Sequence, residues 1–351
     1  MDKLNKKQQN VITILLEKSD LSSSDIHAGL AKKGEDMALV TTKRILSEMA
    51  KLGLLAIHGS GPAIKYTLSA PGRLNADIDA KIYCAIEPDK RYGMSLFNFE
   101  LLPAISSDIL QAGEIDILEK ATKEYYRRTA DISDAIQKKE LERLVIELSW
   151  KSSRIEGNTY TLLDTEKLIL ENKRAPGHAK SEAQMILNHK NAFTFVHENS
   201  NQFKNLTRAN LEKLHAILTE KLSVDFGFRK KPVGVLGSKY QPLDNIHQIT
   251  DAVDTLSLAV SRMATPYAKA LVALLGISYI QPFEDGNKRT SRIMANALLL
   301  AHGRAPLSYR SVDENEYREA MLVFYELNSA VPFRRIFVSQ YDFAARNYAM
   351  K

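Results

Sequence analysis

The chain has 351 residues, 44% of them apolar and 26% charged, with a formal net charge of +6. That length and balance predict a soluble protein of two domains with buried cores. A single cysteine, Cys84, excludes a disulfide framework and a cysteine-built zinc site, the eight histidines show no metal-ligand spacing, and the apolar runs are shorter than the roughly 20 residues a membrane span needs.

No secretion signal or membrane anchor is visible, so a cytoplasmic protein that makes no use of a membrane is expected. Residues 1–73 carry eleven Lys/Arg against seven Asp/Glu, which puts most of the net charge at the N-terminal end and suggests a negatively charged partner or a solvated basic face. Val11, Ile12, Leu15 and Leu16 follow helical spacing, and Ser22 with Asp25 forms a capping signal for a second helix through Leu30. A third helix starts near Ala38, turns Ile45, Met49 and Leu52 inward, and stops at Gly53. Two short β-prone runs then flank Gly59-Ser60-Gly61-Pro62, a hairpin signal. Three helices and a hairpin over residues 1–72 resemble a winged helix-turn-helix, whose third helix enters the major groove of duplex DNA. Thr41, Thr42, Lys43, Arg44 and Ser47 are the candidate groove-facing residues, and Lys65 on the wing is a candidate phosphate contact. A module of this kind used only for protein contacts is the alternative.

Residues 73–111 mix polar and aromatic residues, with Pro88 and Pro103 breaking any long helix, and read as a packed connector. From Ala112 to the end, residues 112–351, the pattern is strongly helical. Leu141, Leu144, Val145 and Leu148 lead a helix into WKSSRIEGNTY, where Ser152 and Glu156 share a face and Gly157-Asn158 end the helix near 157. Glu156 stands at the wrong end of the helix dipole, which suggests that it meets a cation from elsewhere; ordinary capping also accounts for the glycine. Residues 228–243, FRKKPVGVLGSKYQPL, form a β-prone run with Gly234, Gly237 and Pro242, readable as a small hairpin amid helices.

Thr265 and Pro266 open an almost wholly apolar helix, Tyr267 to Ile280, which ends at Pro282. Glu284-Asp285-Gly286-Asn287 makes a tight turn, and another helix runs from Lys288 to the Gly303 stop. A glycine turn feeding a helix start presents unpaired N–H groups and partial positive charge, which suits phosphate. Lys288, Arg289 and Arg292 lie in the first turn and a half, where cations oppose the dipole unless an anion sits among them. Arg289 and Arg292 share a face, and Asp285 is a hard carboxylate suited to Mg²⁺.

Residues 281–292 resemble the Fic signature, His-Pro-Phe-x-(Asp/Glu)-Gly-Asn-(Gly/Lys)-Arg-x-x-Arg, and match every defined position except the first. The resemblance implies a mainly α protein, with an all-helical Fic domain and a small β-hairpin flap behind the N-terminal module. It implies ATP and Mg²⁺ as cofactors and transfer of AMP to a Ser, Thr or Tyr hydroxyl of a target protein. By position, Asp285 would bind the metal and Gly286, Asn287 and Lys288 would form the phosphate nest. Arg289 would contact the triphosphate, Arg292 its γ-phosphate, and Phe283 would anchor the loop. Gln281 stands where the family has its general base, and an amide cannot take a proton as a neutral imidazole does.

Ser152-x-x-x-Glu156-Gly157 is similar to the Fic inhibitory motif, whose glutamate pairs with the second signature arginine, here Arg292, and displaces the γ-phosphate. The run 228–243 resembles the Fic flap, with Val235, Leu236, Ser238, Lys239 and Tyr240 lining an edge that holds a target segment by strand addition. Members of the family often dimerise, which leaves a homodimer open. Three functions stay open: an autoinhibited adenylyltransferase slowed by Gln281, an enzyme that removes AMP with Glu156 activating water, and a catalytically silent nucleotide sensor that couples ATP to DNA binding.

Overall fold

The computed structural model describes residues 4–107 and 109–350. The chain divides into two compact units. The first runs to Ile105 and takes in Gly234–Gln241 and Glu319–Phe333; the second holds Ser106–Val233, Pro242–Arg318 and the remainder from Arg334. It is mainly α, with one two-stranded sheet among the described residues.

In the first unit, helix α1 (Lys6–Glu17) starts at a capping box between Asn5 and Gln8, and α2 (Ser23–Lys32) at one between Ser22 and Asp25. Each box satisfies two N–H groups that a helix start leaves without partners. Helix α3 (Leu39–Lys51) is stopped by Gly53 at φ 72°, a left-handed conformation that suits glycine. Strands β1 (Leu55–His58) and β2 (Lys65–Leu68) pair antiparallel, with Leu55 opposite Leu68 and His58 opposite Lys65. Val11, Leu15, Ile26, Leu30 and Met49 share one buried core with both strands.

Two expectations for α3 fail. Leu52 is 52% exposed, because it is the C-cap and has left the helical stripe; Leu46, fully buried, fills the core instead. Thr42 is also fully buried, its hydroxyl 3.1 Å from Nδ1 of His27, so it cannot face a groove. Lys43, Arg44 and Ser47 are exposed and Thr41 is half-buried. Lys65 is exposed and forms a 2.8 Å ion pair with Asp20. Three short helices follow, α4 (Ala70–Leu74), α5 (Ala80–Cys84) and α6 (Leu101–Ala104).

The second unit contains α7 (Ala112–Thr129), α8 (Asp134–Ile155), α9 (Leu162–Glu171), α10 (Lys180–Glu198), α11 (Arg208–Leu218), α12 (Ile246–Arg262), α13 (Pro266–Ile280) and α14 (Asn287–Ala301). Thr265 caps α13 by accepting from the Ala268 N–H at 3.2 Å, with Pro266 at the first position. From Ala270 onward every residue of α13 is buried, since α12 and α14 pack against it. Helices α15 (Glu314–Leu327) and α16 (Val331–Asn347) contribute to both units. No helix of the described residues is long and apolar enough to cross a membrane.

Gly72 lies inside α4, where alanine would ordinarily favour the helix. A Cβ there would stand 2.1 Å from the Leu54 carbonyl oxygen, a backbone atom that cannot step aside. Gly72→Ala should therefore destabilise the first unit by about 1–3 kcal/mol, as overpacking does. Urea denaturation followed by circular dichroism checks this, and a gain in stability would refute it.

Candidate active site

The loop between α13 and α14 is shaped by hydrogen bonds to its backbone. Gln281 ends α13 in the left-handed region, at φ 52°. Its side-chain amide donates to the Ser278 carbonyl at 2.6 Å, so the amide closes the helix end. Arg229, which sequence reasoning missed, holds the loop from outside. Its Nε donates to the Gln281 carbonyl at 2.7 Å, its backbone N–H to the Pro282 carbonyl at 2.9 Å, and Nη2 to the Leu243 carbonyl.

Asn287 then ties the turn to itself, its Oδ1 accepting from the Phe283 N–H and its Nδ2 donating to the Phe283 carbonyl, both at 2.8 Å. Phe283 is fully buried and stacks face to face on His215, with centroids 3.7 Å apart. His215 contacts the Asp285 carbonyl through Nε2 at 3.0 Å. That histidine was legible only as one polar residue on the apolar face Leu211, Leu214, Leu218 of α11. Gly286, at φ 78°, is the N-cap of α14, and the first N–H groups of that helix have no intrahelical acceptor.

Two arginines are buried in the first turns of α14. Arg289 is 2% exposed and pairs through Nη2 with the outward-facing Asp285 carboxylate at 3.1 Å. Arg292 is fully buried. Its Nε donates to Ser152 Oγ at 2.8 Å, and its Nη2 donates to the Ser152 carbonyl at 2.9 Å and to Glu156 Oε1 at 2.8 Å. The ring of Tyr317 lies 5.5 Å from the guanidinium. Lys288 approaches the other Glu156 oxygen at 3.7 Å. The structure thus brings Ser152, Glu156, Lys288 and Arg292 together.

Glu156 reaches Arg292 because α8 ends there. It is the C-cap, and Gly157 follows at φ 94°. Asn158 N–H bonds the Ser153 carbonyl and Gly157 N–H the Arg154 carbonyl, which is the Schellman pattern. The Ser152 carbonyl, released from the helix ladder, is the one Arg292 takes.

The segment 228–243 differs from expectation. It forms no hairpin; one bridge joins Gln241 to Leu96, with Gln241 N–H donating to the Ser95 carbonyl at 2.7 Å. Ser238 donates to Glu326 at 2.6 Å, Lys239 to the Arg91 carbonyl at 2.5 Å, and Arg91 pairs with Glu326 at 3.2 Å, so polar groups find side chains in place of a ladder. Val235 and Tyr240 are buried and Leu236 is 97% exposed. Of the five residues expected to line an edge, Leu236 alone projects fully outward.

No group of three or more His, Cys, Asp or Glu residues suited to a metal ion occurs among the described residues. Asp285 offers a single exposed carboxylate, which fits Mg²⁺ held mainly by phosphate oxygens and water.

Residues 205–299 match the model of the Fic/DOC family. Over that segment the chain is similar to Fic domains. It is 28% identical over 175 residues to a protein adenylyltransferase Fic of Nematostella vectensis, across 48% of this chain and 41% of that one. Over 205 residues it is 24% identical to protein adenylyltransferase fic-1 of Caenorhabditis elegans, across 56% and 40%. The matched segment thus spans less than half the length of these relatives. In fold it is similar to Fic-1 of C. elegans (residues 134–508 of that protein), with a TM-score of 0.59 at 16% identity over 68% of this chain and 72% of that one. It is also similar to a Fic domain containing signaling protein of Bacteroides thetaiotaomicron, with a TM-score of 0.55 at 17% identity over 65% and 94%.

Burial opposes the charge on Glu156, but Arg292 and Lys288 outweigh it and hold its carboxyl below the usual value. The pair therefore contributes fully above about pH 4.5 and is lost only as pH falls through that lowered value. Two histidines act at higher pH. Burial, with Arg292 and Arg289 nearby, holds His189 neutral, and burial lowers His215 to about 4. The unfolded chain takes up those protons first, so stability should fall as pH drops from about 6.5 towards 4, by about 1.4 kcal/mol per pH unit for each histidine. His215→Phe, which retains a stacking ring, should reduce that slope by about 1.4 kcal/mol per unit in denaturation measured across this range. An unchanged slope would show that His215 is protonated in the folded protein.

Proposed function

We propose that this chain is a Fic-type protein adenylyltransferase scaffold that binds Mg²⁺-ATP on the 281–292 loop, is held inactive by Glu156, and lacks an efficient general base. The pair between the buried Arg292 and the partly buried Glu156, at the phosphate-suited start of α14, carries the reading, because an anion already occupies the cation that the γ-phosphate would need. Gly286, Asn287 and Lys288 would cradle phosphate with backbone N–H groups, Arg289 would grip it, and Asp285 would hold Mg²⁺. When bound, that ion would offset phosphate charge.

In AMP transfer the hydroxyl oxygen of a target protein bonds to the α-phosphorus, the bond to pyrophosphate breaks, and the hydroxyl proton leaves. Gln281 could orient the hydroxyl but could not accept its proton, which is typically worth about 10²–10⁴-fold. The commitment of its amide to the Ser278 carbonyl supports a second reading, a catalytically silent nucleotide sensor. Four proteins separate the two: wild type, Glu156→Gly, Gln281→His and the double variant, assayed for transfer of labelled AMP to themselves or to added protein. The double variant alone should transfer readily, since phosphate placement and proton removal act in one transition state and the changes should be more than additive. No transfer by the double variant would favour the sensor, and vigorous transfer by Glu156→Gly alone would overturn the role given to Gln281.

For the first unit we infer a winged helix-turn-helix that binds duplex DNA. The order of α1 to α3 and the β1–β2 hairpin, with Lys43, Arg44 and Ser47 exposed on α3, supports it. Binding of the full chain to mixed duplexes should weaken as salt rises, and Lys43→Ala should make the salt dependence shallower by about one counterion. Absence of binding at low salt would remove this half of the reading.

A further inference from the structure

The C-terminal turn of α8 is held by a second set of contacts that no signature describes. Four carbonyls at a helix C-terminus lack helical partners. Arg292 takes that of Ser152, and the Schellman turn takes those of Ser153 and Arg154. The fourth, Ile155, accepts from Arg318, through Nε at 2.9 Å and Nη2 at 2.6 Å; Nη2 also lies 3.4 Å from the Arg154 carbonyl. A guanidinium there also complements the negative end of the helix dipole.

Arg318 belongs to the first turns of α15, and its neighbours at helical spacing face the same place. Glu314 accepts from Lys151 Nζ at 2.9 Å and Arg154 Nε at 3.0 Å, gripping the side chains of the last two turns of α8. Tyr317 lies over the Arg292 guanidinium, with its hydroxyl 3.5 Å from Nη1. Positions 314, 317 and 318 form one stripe.

We propose that this stripe is the latch of the autoinhibited state. Glu314 and Arg318 are positioning residues: they keep the last turn of α8 wound and seated, so that the Glu156 carboxylate stays on Arg292. The Glu156 side chain is held by Arg292 and Lys288, so its place on them depends on where the turn is held. Loss of the latch lets that turn fray and frees Arg292 for a phosphate. Arg318 is exposed, so the latch is open to competition from solvent or from an anionic partner.

This inference rests on the nucleotide reading above, and one set of measurements tells their failures apart. Mg²⁺-ATP affinity is measured by calorimetry on wild type, Glu156→Gly, Arg318→Ala, Arg318→Lys, Glu314→Gln, and Arg318→Ala combined with Glu156→Gly, with thermal unfolding of each. Arg318→Ala and Glu314→Gln should each tighten ATP at least threefold, Arg318→Lys less, and Arg318→Ala should add nothing once Glu156 is gone. A merely structural role would lower thermal stability without tightening ATP. If Glu156→Gly tightens ATP while Arg318→Ala and Glu314→Gln do not, the latch is wrong and the nucleotide reading stands. If Glu156→Gly itself leaves ATP binding unchanged, the nucleotide reading fails and the latch falls with it. Equal tightening by Arg318→Ala with and without Glu156 would also overturn the latch, since Arg318 would then act on the nucleotide by another route.

Discussion

The second unit is organised around a charge that cannot be neutralised where it sits. A guanidinium stays protonated at any accessible pH, and a fully buried one needs an anion or a dense set of acceptors. Arg292 has both, a carboxylate, a hydroxyl, a backbone carbonyl and an aromatic face, and all come from α8 and α15. Removing the anion would leave three uncharged partners on a permanent cation. That imbalance gives the site an appetite for another anion, and phosphate is the one that a helix start accommodates without rearrangement. In the proposed reading, inhibition and nucleotide affinity would in this sense be one property of a single side chain.

Much of the fold was legible because its punctuation is local. The Ser22–Asp25 box, the Gly53 stop, the Thr265-Pro266 opening and the Gly157 ending each act within five residues, and each appears in the structure. Thr42 shows how chemistry can mislead where spacing would not. It stands three, four and seven residues before Ile45, Leu46 and Met49, on the inward stripe, but its hydroxyl suggested the outer face. A hydrogen bond to His27 makes its burial tolerable.

The unread parts depend on distant residues. The segment 228–243 has the composition of a hairpin, yet what orders Ser238 and Lys239 is Glu326 and Arg91, more than eighty residues away in each direction. Arg229 sits in a polar run with no periodicity, and nothing local distinguishes it from its neighbours Lys230 and Lys231. The Glu156–Arg292 contact spans 136 residues and was legible only through resemblance to a motif. Glu314 and Arg318 lie in a helix whose sequence gave no reason to connect them with α8.

Residue 281 is where shape and chemistry separate. The loop owes its conformation to the Asn287 clasp on Phe283, to the Phe283–His215 stack and to the Arg229 guanidinium, which binds carbonyls and so is indifferent to the side chain at 281. The side chain of Gln281 adds one bond, to a carbonyl of its own helix. A residue that contributes so little to the loop can be exchanged without disturbing the phosphate-facing N–H groups or the two arginines. In the proposed reading, loss of a base at this position would remove proton transfer and leave anion binding intact, whereas a change at Asn287 or Arg229 would disturb both. On that reading, the arrangement would let a nucleotide site persist without its chemistry at little physical cost, and would place control of occupancy with α8 rather than with the loop.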